Sequence, residues 1–112
     1  THSRKNLIKA WRLKGQAYGR QRRLPEAEAA LQKALAIARE TGNPPQLWKT
    51  YQALGELYER AKHLDQARAA YASALQVIDD VANRLQDQVL KATFLTAQPI
   101  QEIRPSLARL NT

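Results

Sequence analysis

The side chains of this chain that could hold a metal or move a proton are few and poorly placed for either task. His2 stands at the start of the sequence and His63 in a predicted turn, so neither is expected to join a metal site or a catalytic dyad. Asp79 and Asp80 are neighbours on a helical stretch and point in different directions; they suit a solvated helix end, not paired acid–base work. With no cysteine there is no disulfide, thiol nucleophile or thiolate ligand, and the glycines come singly, not in a phosphate-cradling loop. The sequence therefore predicts no catalytic residue, no metal ligand and no cofactor. What it offers instead is a stripe of charge. Lys5, Lys9, Arg12, Gln16 and Arg20 recur at steps of three and four, which puts them on one side of a helix. Forty residues on, Lys49, Gln52, Glu56, Glu59 and Arg60 form the equivalent stripe, mixed in sign. Side chains of this kind recognise a partner by ion pairing and hydrogen bonding.

The formal charge of +8 is unevenly spread. Arg4, Lys5, Lys9, Arg12, Lys14, Arg20, Arg22 and Arg23 lie in the first 23 residues without one acid among them, while beyond them bases and acids balance. The excess belongs to the first predicted helix and its turn. Basic residues alone would give nucleic acid a salt-sensitive, sequence-blind affinity. The chain lacks the interleaved exposed aromatics that would strengthen that reading, so nucleic acid ranks behind an acidic peptide or helix as partner. The same stripe would also serve as a plain solvated face, or as one covered by further protein. No run approaches the roughly 18–20 apolar residues of a membrane span, and no secretory signal pattern opens the chain. Freedom from cysteine fits a cytoplasmic protein. The chain opens Thr1-His2-Ser3 and contains no methionine, so it is expected to be a piece of something longer.

The elements that must carry these stripes are helices, for alanine, leucine and glutamine dominate and β-branched residues are sparse. A first helix is predicted from about residue 6 to 21. A second starts with Pro25 at its first position and ends at Gly42 as a C-terminal cap before Pro44-Pro45, which should forbid continuation. A third is expected from about 46 to 61. Leu64-Asp65 supplies a turn with a capping carboxylate, and a fourth helix runs to about Leu85. Asp87 could cap a fifth helix holding Leu90, Phe94 and Leu95, interrupted at Pro99 before a final segment with Ile100, Ile103, Leu107 and Leu110.

The strongest regularity is internal. At an offset of 40, Gly15/Gly55, Tyr18/Tyr58, Arg20/Arg60, Leu24/Leu64, Ala27/Ala67, Ala29/Ala69, Ala30/Ala70, Ala34/Ala74 and Leu35/Leu75 are identical. Glycine on the first helix and alanines on the second permit a close approach, with Trp11, Tyr18, Leu31, Tyr51, Tyr58 and Tyr71 filling the spaces beside them. Tyr51-x-x-Leu54-Gly55-x-x-Tyr58 followed by Ala67-x-x-x-Tyr71 resembles the tetratricopeptide repeat, and Trp11-x-x-Lys14-Gly15-x-x-Tyr18 is its weaker copy. The first copy departs from the family pattern at Lys14 and Leu31, and Arg39 and Asp79 stand where the family has proline. The period exceeds the usual 34 residues, so helices or linker must be longer. Such long repeats look like those of bacterial multidomain signalling ATPases, cyclase-linked proteins and transcription regulators.

The resemblance implies an all-α fold of stacked antiparallel helix hairpins, a right-handed α-solenoid closed by a C-terminal capping helix. It implies one domain over residues 1–112, with repeat 1 at about 6–41, repeat 2 at about 46–85 and a cap at about 87–110. It implies a non-catalytic protein–protein interaction scaffold whose concave groove is lined by Lys5, Lys9, Arg12, Gln16, Arg20, Lys49, Gln52, Glu56 and Glu59. A regulatory or oligomerisation segment of a multidomain signalling protein is the alternative. The carboxylate grip some members use would need asparagine where Glu56 falls. Stacked repeats generally need at least three units. Ile8, Trp11 and Leu13 are therefore expected to stay partly uncovered, predicting a preceding repeat or self-association at the N-terminal edge.

Overall fold

The computed structural model describes residues 3–85 and 87–111, which leaves His2 outside the described residues. Six helices follow one another: α1 (Arg4–Arg20), α2 (Leu24–Thr41), α3 (Pro44–Arg60), α4 (Leu64–Arg84), α5 (Gln88–Leu95) and α6 (Gln98–Leu110). There is no strand among the described residues. α1 pairs with α2 and α3 with α4, and α3 also packs on both α1 and α2, so the second hairpin stacks on the first. α6 packs on α4. Arg104 pairs with Asp79, and Arg68 Nη1 donates to the carbonyl of Leu110 at 2.9 Å, so α6 runs antiparallel to α4 and parallel to α3. α1, α3 and α6 thus form one row. The architecture is the expected stack of helix hairpins, with α6 taking the place a third first-helix would occupy.

The 40-residue period extends to the ends of the helices. Ser3 and Asn43 each accept a hydrogen bond from the backbone N–H three residues on, Asn6 and Gln46, and so cap α1 and α3. Sequence reasoning began both helices two residues late. Pro44 and Pro45 do not merely stop α2; they form the first turn of α3, where a missing N–H costs nothing. Pro25 occupies the second position of α2, not the first, and the cap position before α4 is His63, leaving Asp65 inside its first turn. Gly42, with φ of 65°, and Asp87, which accepts from the N–H groups of Val89 and Leu90, cap as expected. The extra length of the repeat lies in the helices, since α1, α2 and α3 have 17, 18 and 17 residues and are joined by short turns. Both hairpin turns are built alike. Arg22 and Lys62 take left-handed φ values of 61° and 66°, and the N–H of the next residue donates to the carbonyl of Tyr18 or Tyr58.

Close approach within each pair depends on a missing side chain. A Cβ added at Gly15 would lie 2.6 Å from Leu31 Cγ and 3.1 Å from the carbonyl oxygen of Ala27. One added at Gly55 would lie 2.7 Å from Tyr71 Cε1. Leu31 and Tyr71 are buried, as are Ala27, Ala34, Ala67 and Ala74 beside them, so the rings and methyls fill the space that small residues leave. Ile8, expected to be partly uncovered, is fully buried against Ala34, Ile37 and Ala38 of α2. The second hairpin's core continues into the tail through Ile100 and Ile103. The buried indole N–H of Trp48 has no acceptor among the described residues.

Alanine normally gains about 1 kcal/mol over glycine inside a helix, but here it meets a ring locked by its neighbours. Denaturant titration of Gly55→Ala is expected to show a net loss of about 1–3 kcal/mol. An unchanged or higher midpoint would mean that the Tyr71 ring can step aside.

Candidate functional site

The stripes that the sequence placed on α1 and α3 come together in two groups. Near the start of α3, Lys49 lies within the electrostatic reach of Arg12, Lys9 and Lys5. Burial first, and then the fields of those three cations, hold the Lys49 ammonium below the ordinary lysine pKa. Its Nζ also sits 5.7 Å from the centre of the Trp48 ring. Among the described residues, Lys5, Lys9 and Lys49 enter no ion pair. Arg12 is half-buried and its pKa is lowered by that burial. Its Nη1 donates to Gln46 Oε1 at 2.7 Å, tying α1 to a side chain of α3 that is only 2% exposed. Buried Thr50 donates its hydroxyl to the Gln46 carbonyl one turn further on. Sequence reasoning named Arg12 for its charge and missed Gln46, because only the fold reveals what a long side chain reaches.

The second group is mixed in charge and lies toward the C-terminal ends of α1 and α3. Gln16 and Arg20 of α1 face Glu56 and Arg60 of α3 across a narrow slot floored by Leu31. The Glu56 carboxyl is pushed above its ordinary pKa by burial, against the attraction of Arg60 and with help from Glu102 and Glu59. Glu59 is bound on both sides. Tyr71 of α4 donates its hydroxyl to Oε1 at 3.0 Å, and Arg109 of α6 donates from Nε to Oε2 at 3.2 Å. Tyr58 donates likewise to Glu28 of α2 at 2.6 Å, and burial followed by that carboxylate pushes its pKa up to about 12.

α6 supplies the residues that sequence reasoning did not name. Gln52, Glu56 and Glu59 share an open groove of about 500 Å³ with Gln101, Glu102, Pro105, Ser106 and Arg109. A three- and four-residue spacing from Gln101 to Arg109 was visible in the chain, but nothing there tied it to α3. Lys5, Arg20 and Arg60 remain exposed, while Lys9 and Gln16 are half-buried.

The groups considered for chemistry are engaged elsewhere. The His63 ring stacks on Tyr58 at 6.4 Å and shares a 2.9 Å hydrogen bond with Gln66 Oε1. Asp79 pairs with Arg104, and Asp80 accepts from Gln76. No cluster of three His, Cys, Asp or Glu side chains suited to a metal ion occurs among the described residues. No helix among them is long and apolar enough to cross a membrane. A family model described as tetratricopeptide repeat matches residues 6–80, from within α1 to within α4. No curated protein and no solved structure matches the chain.

The raised pKa of Glu56 has a defined sign in stability. Its carboxyl holds a proton more tightly folded than unfolded, so stability falls as pH rises from about 4.3, the ordinary glutamate value, through the folded value. Glu56→Gln is expected to melt higher than the parent near pH 7 and to match it near pH 3. A variant that melts lower at neutral pH would show that the ionised carboxylate contributes stability in place.

Proposed function

The chain belongs to the tetratricopeptide repeat family, and from that premise we propose that it is a non-catalytic protein-interaction scaffold that docks an acidic peptide or partner helix along α1, α3 and α6. The observation that carries this reading is that Lys5, Lys9 and Arg12 all act on Lys49, and none of the four forms an ion pair among the described residues. Cations held together in a partly buried row repel one another, and a ligand carboxylate removes that repulsion while accepting charge-assisted hydrogen bonds. Arg12 is already fixed by Gln46, so part of the surface is ordered before the partner arrives. Nucleic acid is the weaker candidate because Trp48, the aromatic beside Lys49, is buried and not free to stack on bases.

Fluorescence anisotropy of a labelled acidic peptide is the direct test. Binding is expected to weaken as salt rises, and to weaken at least tenfold in a Lys9→Glu, Lys49→Glu double variant. Equal binding by the double variant would sink the reading, and tighter binding of an oligonucleotide would transfer it to nucleic acid.

A second reading, an oligomerisation segment within a multidomain bacterial signalling ATPase, cyclase or transcription regulator, is favoured by the outer face of α1. Leu7 and Leu13 are 42% and 64% exposed, at the positions where α3 carries the packed Leu47 and Ala53. Lys14 replaces the buried Leu54 there and holds its ammonium 5.1 Å from the Trp11 ring and 5.9 Å from that of Tyr18. A lysine so placed keeps two aromatic faces compatible with water until a second copy covers them. Sedimentation equilibrium is expected to show association that Leu13→Glu abolishes; a monomer at all concentrations would count against self-association through this edge.

A further inference from the structure

The two copies of the repeat differ at one place in a way that exposes a binding site. At the C-terminal end of the α3–α6 seam, Glu59 fills the space between helices and takes donors from Tyr71 and Arg109. Forty residues earlier, the equivalent position on α1 is Gly19, and the residue equivalent to Tyr71 is Leu31. The α1–α3 seam therefore ends in an open crevice of about 600 Å³ lined by Gly19, Arg20, Arg22, Leu24, Leu57 and Arg60. A Cβ placed on Gly19 would lie 3.2 Å from Leu57 Cδ1, which must give a little, and 3.8 Å from Arg60 Nη1, so a side chain there would face a guanidinium, as Glu59 faces Arg109. Arg20, Arg22 and Arg60 enter no ion pair among the described residues, although Arg60 lowers the pKa of nearby Glu56. The floor is apolar, since Leu57 is buried and Leu24 half-buried.

We infer that this crevice binds a glutamate or aspartate side chain presented, next to an apolar residue, by an acidic peptide of a partner protein. The molecule itself supplies the precedent: where the chain carries a carboxylate at this position, the guanidinium of the next row helix closes on it. The guanidiniums of Arg20, Arg22 and Arg60 line this crevice and can donate to a carboxylate in forked geometry. Leu24 and Leu57 offer the stem of the ligand an apolar surface, which a polyphosphate backbone would not use. The inference rests on the interaction-scaffold reading but concerns the opposite end of the row from Lys9 and Lys49.

The test uses the whole chain, labelled with nitrogen-15, and a peptide with leucine–glutamate pairs in a glycine–serine background. A leucine–glutamine counterpart and a single-stranded oligonucleotide serve as comparisons. Amide shifts are expected at Gly19, Arg22 and Leu57, with no comparable binding of the glutamine peptide. Gly19→Glu, which supplies the missing carboxylate from within, is expected to weaken binding at least tenfold. An Arg20→Ala, Arg22→Ala double variant, altered only at exposed side chains, is expected to weaken binding similarly and carries the test should Gly19→Glu not fold. Undiminished binding by these variants, equal binding of the glutamine peptide, or displacement by the oligonucleotide from the same amides would overturn the inference. Shifts confined to Lys5, Lys9 and Lys49 would overturn it while leaving the interaction-scaffold reading standing.

Discussion

At Gly15 and Gly55 the first helix of each pair presents only a hydrogen to a large side chain of the second, Leu31 and Tyr71. That contact fixes how near the helices come, and much else follows from it. The Tyr71 ring is seated against Gly55, which aims its hydroxyl at Glu59; Glu59 in turn receives Arg109 and so helps to hold α6 in the row. On α1 the same approach places Ile8 in the core and turns Arg12 toward Gln46 of the next hairpin. Close packing of this kind does not deform gradually, because neighbouring side chains have nowhere to retreat. The exposed charge pattern is therefore displayed on a rigid support.

The two hairpins share a frame and differ in what they display. Identical residues at an offset of 40 are mostly those that pack or turn, while the positions that diverge carry the chemistry. Leu54 becomes Lys14 and Glu59 becomes Gly19. Both exchanges make α1 more positive than its counterpart, and the second also opens it. A repeat can change this way at low cost, since a residue on the row surface contacts only its immediate neighbours.

Much of this was legible from the chain. The period, the glycine–alanine pairing, the Gly42 stop and the Asp87 cap all depend on local chemistry, and local chemistry is what a sequence displays. The proline pair at 44–45 is ambiguous in a sequence, because the same residue type ends one helix and begins another, and here it opens α3. The charged stripes were found by spacing alone, and their helices were right. The closing helix with Ile100, Ile103, Leu107 and Leu110 was expected as a cap; what spacing could not reveal was engagement across elements, Arg12 with Gln46 and Glu59 with Arg109 of α6. The crevice beside Gly19 was invisible for a related reason, being defined by a side chain that is missing.

Consider the order in which the molecule can assemble. Within each hairpin the contacting residues are close along the chain, so little loop entropy must be lost before packing is rewarded, while covering the faces of each pair requires the stacking of α3 on α1 and α2. α6 is different. The surface it docks on, Tyr71 and Glu59 together, exists only after α3 and α4 have closed on one another, and α5, which buries no residue of its own, is a tether during that interval. The tail thus belongs to the core of the second hairpin, and its release would uncover the buried cluster that Ile100 and Ile103 share with Tyr71 and Ile78.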